Sequence, residues 1–392
     1  MTKLHFNYKD IFRALRLGFS AKKVWMMFLG LLFSFAGYAK FGYLAHITAG
    51  HDFITVWESS RLLPFPDPHY ASFPWYSWLI FALGVVWFAA CSLLTGAAVS
   101  KVTYEQLRGD EFYESREAFR FAFRHWSSIL ASPMLLVVFI VGIGVAGLAL
   151  SALGAIPYFG DIFVGAMALP ALAASFFILY LAVVLLASLL IGPSVVGATR
   201  NDTFDTIFEV FSSVNEQPAR LLLYVTTAAG LSKLGAFLFS LATAAAGRIG
   251  YAIVRVFTGP DLADTMANAT FYFRISPPAW CPEPARAAFE LWINVLGLPQ
   301  AYLGADYVPL GNWGADVGAL LLGTAFYLVA LVVLAYGCSV WYAANTLGYI
   351  VITYKKDEKN LLEIPDEEEM LEPVVTPAEC GAKEEVVAPK QD

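Results

Sequence analysis

An all-α, polytopic membrane protein of about six spans is what this sequence predicts, and three observations carry the prediction. Hydrophobic residues make up 58% of the 392 residues and charged residues 15%, with a mean hydropathy of +0.61. A water-soluble domain of this size needs far more polar surface. The apolar residues also fall in runs of about 20 or more, the length that crosses a hydrocarbon core of about 30 Å. Ten-residue alternating segments are absent, which excludes a closed barrel and leaves helices to satisfy every backbone group.

The spans fall in order at 24–45, 74–99, 127–153, 165–192, 221–246 and 316–341, the fourth and sixth running on apolar beyond these limits. A charged segment precedes the first, but the apolar run behind it is too long for a cleavable signal, so it is expected to stay attached as a span. Fifteen Lys or Arg fall before span one, between spans two and three, between four and five, and just after six; the other side carries six over longer loops. The rich side is expected to be cytoplasmic, with both termini inside a multi-pass cell (inner) membrane.

A polar segment, Asp202–Tyr224, "DTFDTIFEVFSSVNEQPARLLLY", separates spans four and five. Phe204, Ile207, Phe208 and Phe211 share one face at i, i+3, i+4, i+7, and Pro218 breaks the pattern before Arg220. Between spans two and three the pattern returns with Phe119, Ala122, Phe123 and Trp126, and before span one, more loosely, with Ile11, Leu15 and Phe19. Each amphipathic helix precedes an odd-numbered span. The chain thus parses into three units, about 7–100, 103–199 and 202–356, each an amphipathic helix plus a hairpin of spans. "VTYEQLRGDE" after span two and "ITYKKDEK" after span six end two units alike. Such helices suit the headgroup layer, aromatic face down and basic residues toward anionic lipid.

The pattern Asp205, Phe208, Phe211, Pro218, Arg220, echoed at Glu117, Arg120 and Arg124, resembles bacterial inner-membrane proteins in which surface helices lead into spans, such as the membrane domains attached to some glycerophosphodiester phosphodiesterases. The resemblance covers about the first 225 residues and implies a membrane architecture. The sequence shows no phosphodiesterase domain, and no activity is carried over.

Lys233 is the one ionisable side chain near the middle of a predicted span, and a charge there costs about 2.5–3.5 kcal/mol on insertion scales. It marks either an intramembrane polar or transport site or, if the span starts later, a snorkelling side chain at the interface. Small residues (Gly142, Gly144 and Gly147; Ala168, Ala171 and Ala174; Gly314 and Gly318) are expected to pack helices closely or meet another membrane chain. Outer loop one, about 46–73, gathers His46, His51, His69, Asp52, Glu58 and Asp67 without HxxxH or HxH spacing, so no metal site is expected; "HDFITVWESSRLL" reads as a surface helix. Outer loop 257–314 is long for a connector, and Phe289, Trp292, Ile293 and Leu296 mark a short helix for a lid or a partner-binding surface. Asn268-Ala-Thr270 fits a glycosylation triplet.

Four cysteines, Cys91, Cys281, Cys338 and Cys380, give no disulfide framework. No P-loop, dinucleotide fingerprint, HExxH or GxSxG is present, and no basic patch interleaved with aromatics for nucleic acid. From Asp357 onward twelve acids face three Lys, so a disordered acidic tail is expected, one that solubilises the terminus or draws a basic cytoplasmic partner. With no catalytic residues and no cofactor indicated, the expected function is a non-catalytic scaffold or accessory subunit. Its partners would be membrane lipids and other membrane proteins, or a second copy. A transporter or channel component for a small solute or lipid, with Lys233 in the path, is the alternative; a lipid-modifying enzyme using His51, Asp52 and His69 is the third.

Overall fold

The spans form because helices made of these apolar runs satisfy the backbone internally, and in the computed structural model they become six long helices. Described are residues 4–60, 63–66, 73–258, 261–272, 283, 287, 308–309 and 312–363. After a 3₁₀ turn, Tyr8–Arg13, the helices are α1 (Ala14–Gly18), α2 (Ala21–Thr48), α3 (Phe53–Ser60), α4 (Trp75–Arg108), α5 (Ser115–Arg124), α6 (Trp126–Ser151), α7 (Phe159–Thr199), α8 (Thr203–Glu216), α9 (Pro218–Thr258), α10 (Asp261–Tyr272) and α11 (Trp313–Asp357). Among the described residues, six helices (α2, α4, α6 with its 3₁₀ extension, α7, α9 and α11) are long and apolar enough to cross a membrane, as the sequence predicts for a multi-pass chain.

Consecutive long helices pair as α2–α4, α6–α7 and α9–α11. The second members, α4, α7 and α11, also pack on one another and form the centre of the molecule. Close approach there needs residues without bulk. A Cβ on Gly197 of α7 would meet Ser100 Cβ at 2.8 Å and the Lys101 backbone N at 3.0 Å, and Gly96 of α4 lies under the Tyr342 ring of α11. Hydrogen bonds reinforce these crossings. Ser100 Oγ and Ser194 Oγ are 3.2 Å apart, and Tyr342 OH donates to the Ser92 carbonyl at 3.3 Å.

The short segments crowd one end of the bundle. α1 packs on α11, α5 on α4, and α8 on α7. α4, α7 and α11 each end on a left-handed residue, Gly109 (φ 114°), Arg200 (φ 57°) and Glu358 (φ 54°), a conformation that turns the chain sharply out of the helix. Both described termini meet here. Ser339 Oγ donates to the Gly18 carbonyl at 2.9 Å, and the Phe6 and Tyr354 rings stack at 3.9 Å between centroids. We call this the collar end and the opposite one the loop end.

The helices outrun the predicted spans. α4 continues past 99 through Lys101, Glu105 and Arg108 because their charges pair along the helix: Lys101 Nζ lies 2.5 Å from Glu105 Oε1, and Arg108 3.6 Å from Glu105 Oε2. α11 runs to Asp357, where Lys356 Nζ donates to Glu209 Oε1 of α8 at 2.9 Å. Composition places the residues from Asp357 onward in the expected acidic tail. Leu361 and Leu362 form a buried turn whose Leu361 carbonyl accepts from Tyr104 OH at 2.7 Å, and 364–392 lie outside the described residues.

Candidate functional site

The amphipathic segments present two apolar flanks rather than the single one their periodicity suggests. α5 buries Ala118, Phe121 and Ala122 against the bundle and leaves Phe119 half-buried. Phe123 (63% exposed) and Trp126 (58%) point away. α8 buries Thr206, Ile207, Val210 and Ser213, half-buries Phe211, and exposes Phe204 and Phe208. The first segment buries Ile11, Ala14 and Gly18 and exposes Phe12, Phe19 and Trp25. Aliphatic and small groups, with the single ring of Phe121, face the bundle. The large rings are left as an outer aromatic ring around the collar end, chemistry suited to the boundary between headgroups and acyl chains.

Beneath that ring the collar end buries charge. Lys23 is fully buried and donates from Nζ to Thr103 Oγ1 at 3.0 Å. Lys101 sits 5.2 Å from the centroids of both the Tyr104 and Phe121 rings, so α5 caps a cation as well as an apolar surface. Lys22 Nζ donates to the Tyr113 carbonyl at 2.6 Å and holds the strand of chain entering α5.

Lys233 occupies a different setting. Ala228, Leu231, Gly235 and Ala236 turn into the bundle, while Lys233 is exposed on the far side of α9, away from α11. Three of the glycines expected to pack helices face outward: a Cβ on Gly142, Gly144 or Gly147 would meet nothing within 4 Å, and Ala168 and Ala171 are exposed, whereas Ala174 and Gly318 are half-buried. Phe289 and Trp292 lie outside the described residues, as do Cys281, Cys380, Asp67 and His69. Asn268 is no open acceptor. It is buried on α10, with Nδ2 donating to the Val308 carbonyl at 2.7 Å and Oδ1 accepting from Val308 N at 2.8 Å.

At the loop end the structure joins two residues that spacing rules do not connect. α2 closes on Gly50 (φ 87°); Gly50 N donates to the Ile47 carbonyl at 3.0 Å, and His51 N to the His46 carbonyl at 3.1 Å. These are the two bonds of a Schellman turn, whose geometry folds the residue after the glycine back over the one five positions earlier. Both are histidines here, and their Nδ1 atoms lie 3.2 Å apart. The legible signal was a Gly directly before the second His. Asp52 and Glu58 are exposed on the same stretch, and among the described residues no three or more His, Cys, Asp or Glu group as metal ligands. Cys91 and Cys338 are free thiols within α4 and α11.

Compared with known proteins, the chain matches no family model, no curated protein and no solved structure.

Proposed function

We propose that the chain is a non-catalytic membrane scaffold, seated by its aromatic collar on the cytoplasmic leaflet and offering its splayed hairpins to other membrane helices. One observation carries this reading: glycines on α6 (Gly142, Gly144, Gly147), α7 (Gly165) and α9 (Gly247, Gly250) have open space where a Cβ would be. In lipid, helices associate through small residues that let backbones approach, so such surfaces suit a second transmembrane partner. The basic residues flanking the collar support a cytoplasmic placement, and an acidic tail beyond it would meet a basic partner on that side.

The three-unit organisation belongs to this proposal. Its support is cyclic: each amphipathic segment packs on the second span of another unit, α5 on α4, α8 on α7, and α1 on α11 to close the ring, and each second span ends on a left-handed cap. A transport path past Lys233 finds no such support, since that side chain faces away from the bundle.

The test is co-purification in mild detergent followed by mass spectrometry, comparing the wild type with a Gly144→Leu/Gly147→Leu variant. Stoichiometric membrane partners, or a second copy, should accompany the wild type and be lost from the variant. A wild-type chain that runs alone, or partners indifferent to the two leucines, would remove the scaffold reading.

A further inference from the structure

The turn closing α2 brings two imidazole rings together. His46 is buried, and its Nε2 lies 3.0 Å from the Phe65 carbonyl. A carbonyl only accepts, so Nε2 carries the proton and, in the neutral ring, Nδ1 is left as a bare lone pair. That lone pair faces His51 Nδ1 at 3.2 Å. Two nitrogens bound to one tetrahedral zinc at 2.0–2.1 Å stand about 3.3 Å apart, so the observed separation is already that of a chelating pair.

The surroundings have the features that metal-ligating histidines need. A backbone carbonyl holding the far nitrogen fixes the tautomer and the ring plane, the usual support of a ligand histidine. The strap supplying it is itself anchored, because Tyr38 OH donates to the Pro64 carbonyl at 3.2 Å. The Phe73 ring stands edge-on to His46 at 5.4 Å and beside His51 at 6.2 Å, which shields the pair on one side. The negative end of the α2 dipole falls at this turn and favours a cation over a second proton donor. The pair is partly open through His51, leaving further coordination positions to water or an external donor.

We propose that His46 and His51 together bind a divalent transition-metal ion of the imidazole-preferring class, zinc or copper, pinning outer loop one to the end of α2. The ion binds through the two Nδ1 atoms, and any proton on His51 Nδ1 leaves as it does so. Binding therefore weakens as pH falls, because protons compete with the ion for the two Nδ1 atoms.

The experiment uses the untagged full-length chain in detergent, stripped with chelator and titrated separately with zinc(II) and copper(II). One equivalent of at least one ion should bind with a micromolar or tighter dissociation constant. His51→Gln, which keeps the turn's backbone bonds and the His46–Phe65 bond, should weaken it at least tenfold. The copper form should show nitrogen coupling in its electron paramagnetic resonance spectrum, reduced in His51→Gln. No saturable binding of either ion, or wild-type affinity in His51→Gln, would overturn the proposal and leave the two rings as a hydrogen-bonded pair only.

Discussion

The collar end and the loop end are made of the same helices yet obey different rules. At the collar end α4, α7 and α11 bury most side chains over their last turns, Lys101 included. Toward the loop end the α6–α7 hairpin and the outer half of α9 expose Leu, Val and Phe on almost all sides. The first is held by close backbone approach, paired charge and short helices laid across it. The second is apolar surface meeting solvent hydrocarbon or another chain, where association energy is small and small residues decide it. A charge or a glycine therefore means something different at each end.

The largest expected effect is at the collar end. Lys101→Met should cost about 3 kcal/mol in a mixed-micelle unfolding titration, because it leaves the buried Glu105 carboxylate with only the longer Arg108 contact. Lys233→Met, by contrast, should leave stability unchanged, since that lysine lies on an exposed face. Equal losses from the two would erase the distinction between the ends.

Glycine substitutions come next. Gly197→Val should cost about 1–3 kcal/mol by overpacking the α4–α7 crossing, whereas Gly144→Val should move the isolated chain by less than about 0.5 kcal/mol. A comparable loss at Gly144 in the purified monomer would show that the α6–α7 hairpin is packed like the collar. A smaller change is expected for Ser339→Ala, about 1 kcal/mol from losing its bond to the Gly18 carbonyl, read as earlier proteolysis of the first twenty residues. If that segment stays protected, its hold on α11 rests on shape alone.

The last test perturbs least. Spin labels at Phe12→Cys, Phe123→Cys and Phe208→Cys, one per amphipathic segment, should report the same shallow depth in lipid bilayers by power saturation. A label that reads fully aqueous takes its segment out of the collar and sharpens which rings touch lipid.

Much of this contrast was legible in the residues. Helix number, pairing into hairpins and the positions of the short amphipathic segments all follow from runs and periodicity. Pro218 is a clear case: a residue that cannot donate suits the first position of α9, where its donor would have no partner. The face of each short helix was not legible, because aromatic spacing marks an apolar stripe without saying which flank meets protein. Ala122 and Ile207 of the predicted stripes do pack, but beside Phe121 and Val210 from off them, while Phe123 and Phe208 stay exposed. The helix ends lie beyond the apolar runs, since Lys101 looks like a boundary until Glu105 is seen beside it. The histidine turn escaped because motif spacing assumes a regular helix, and Gly50 reverses the chain.

Ser339 and Gly18 are 321 residues apart, so α1 finds its seat only when α11 has been made. Through synthesis of the five intervening spans, α1 must wait without its native neighbour. Phe12 and Phe19 give it somewhere to wait: rings that remain exposed in the finished protein can rest on lipid throughout biogenesis.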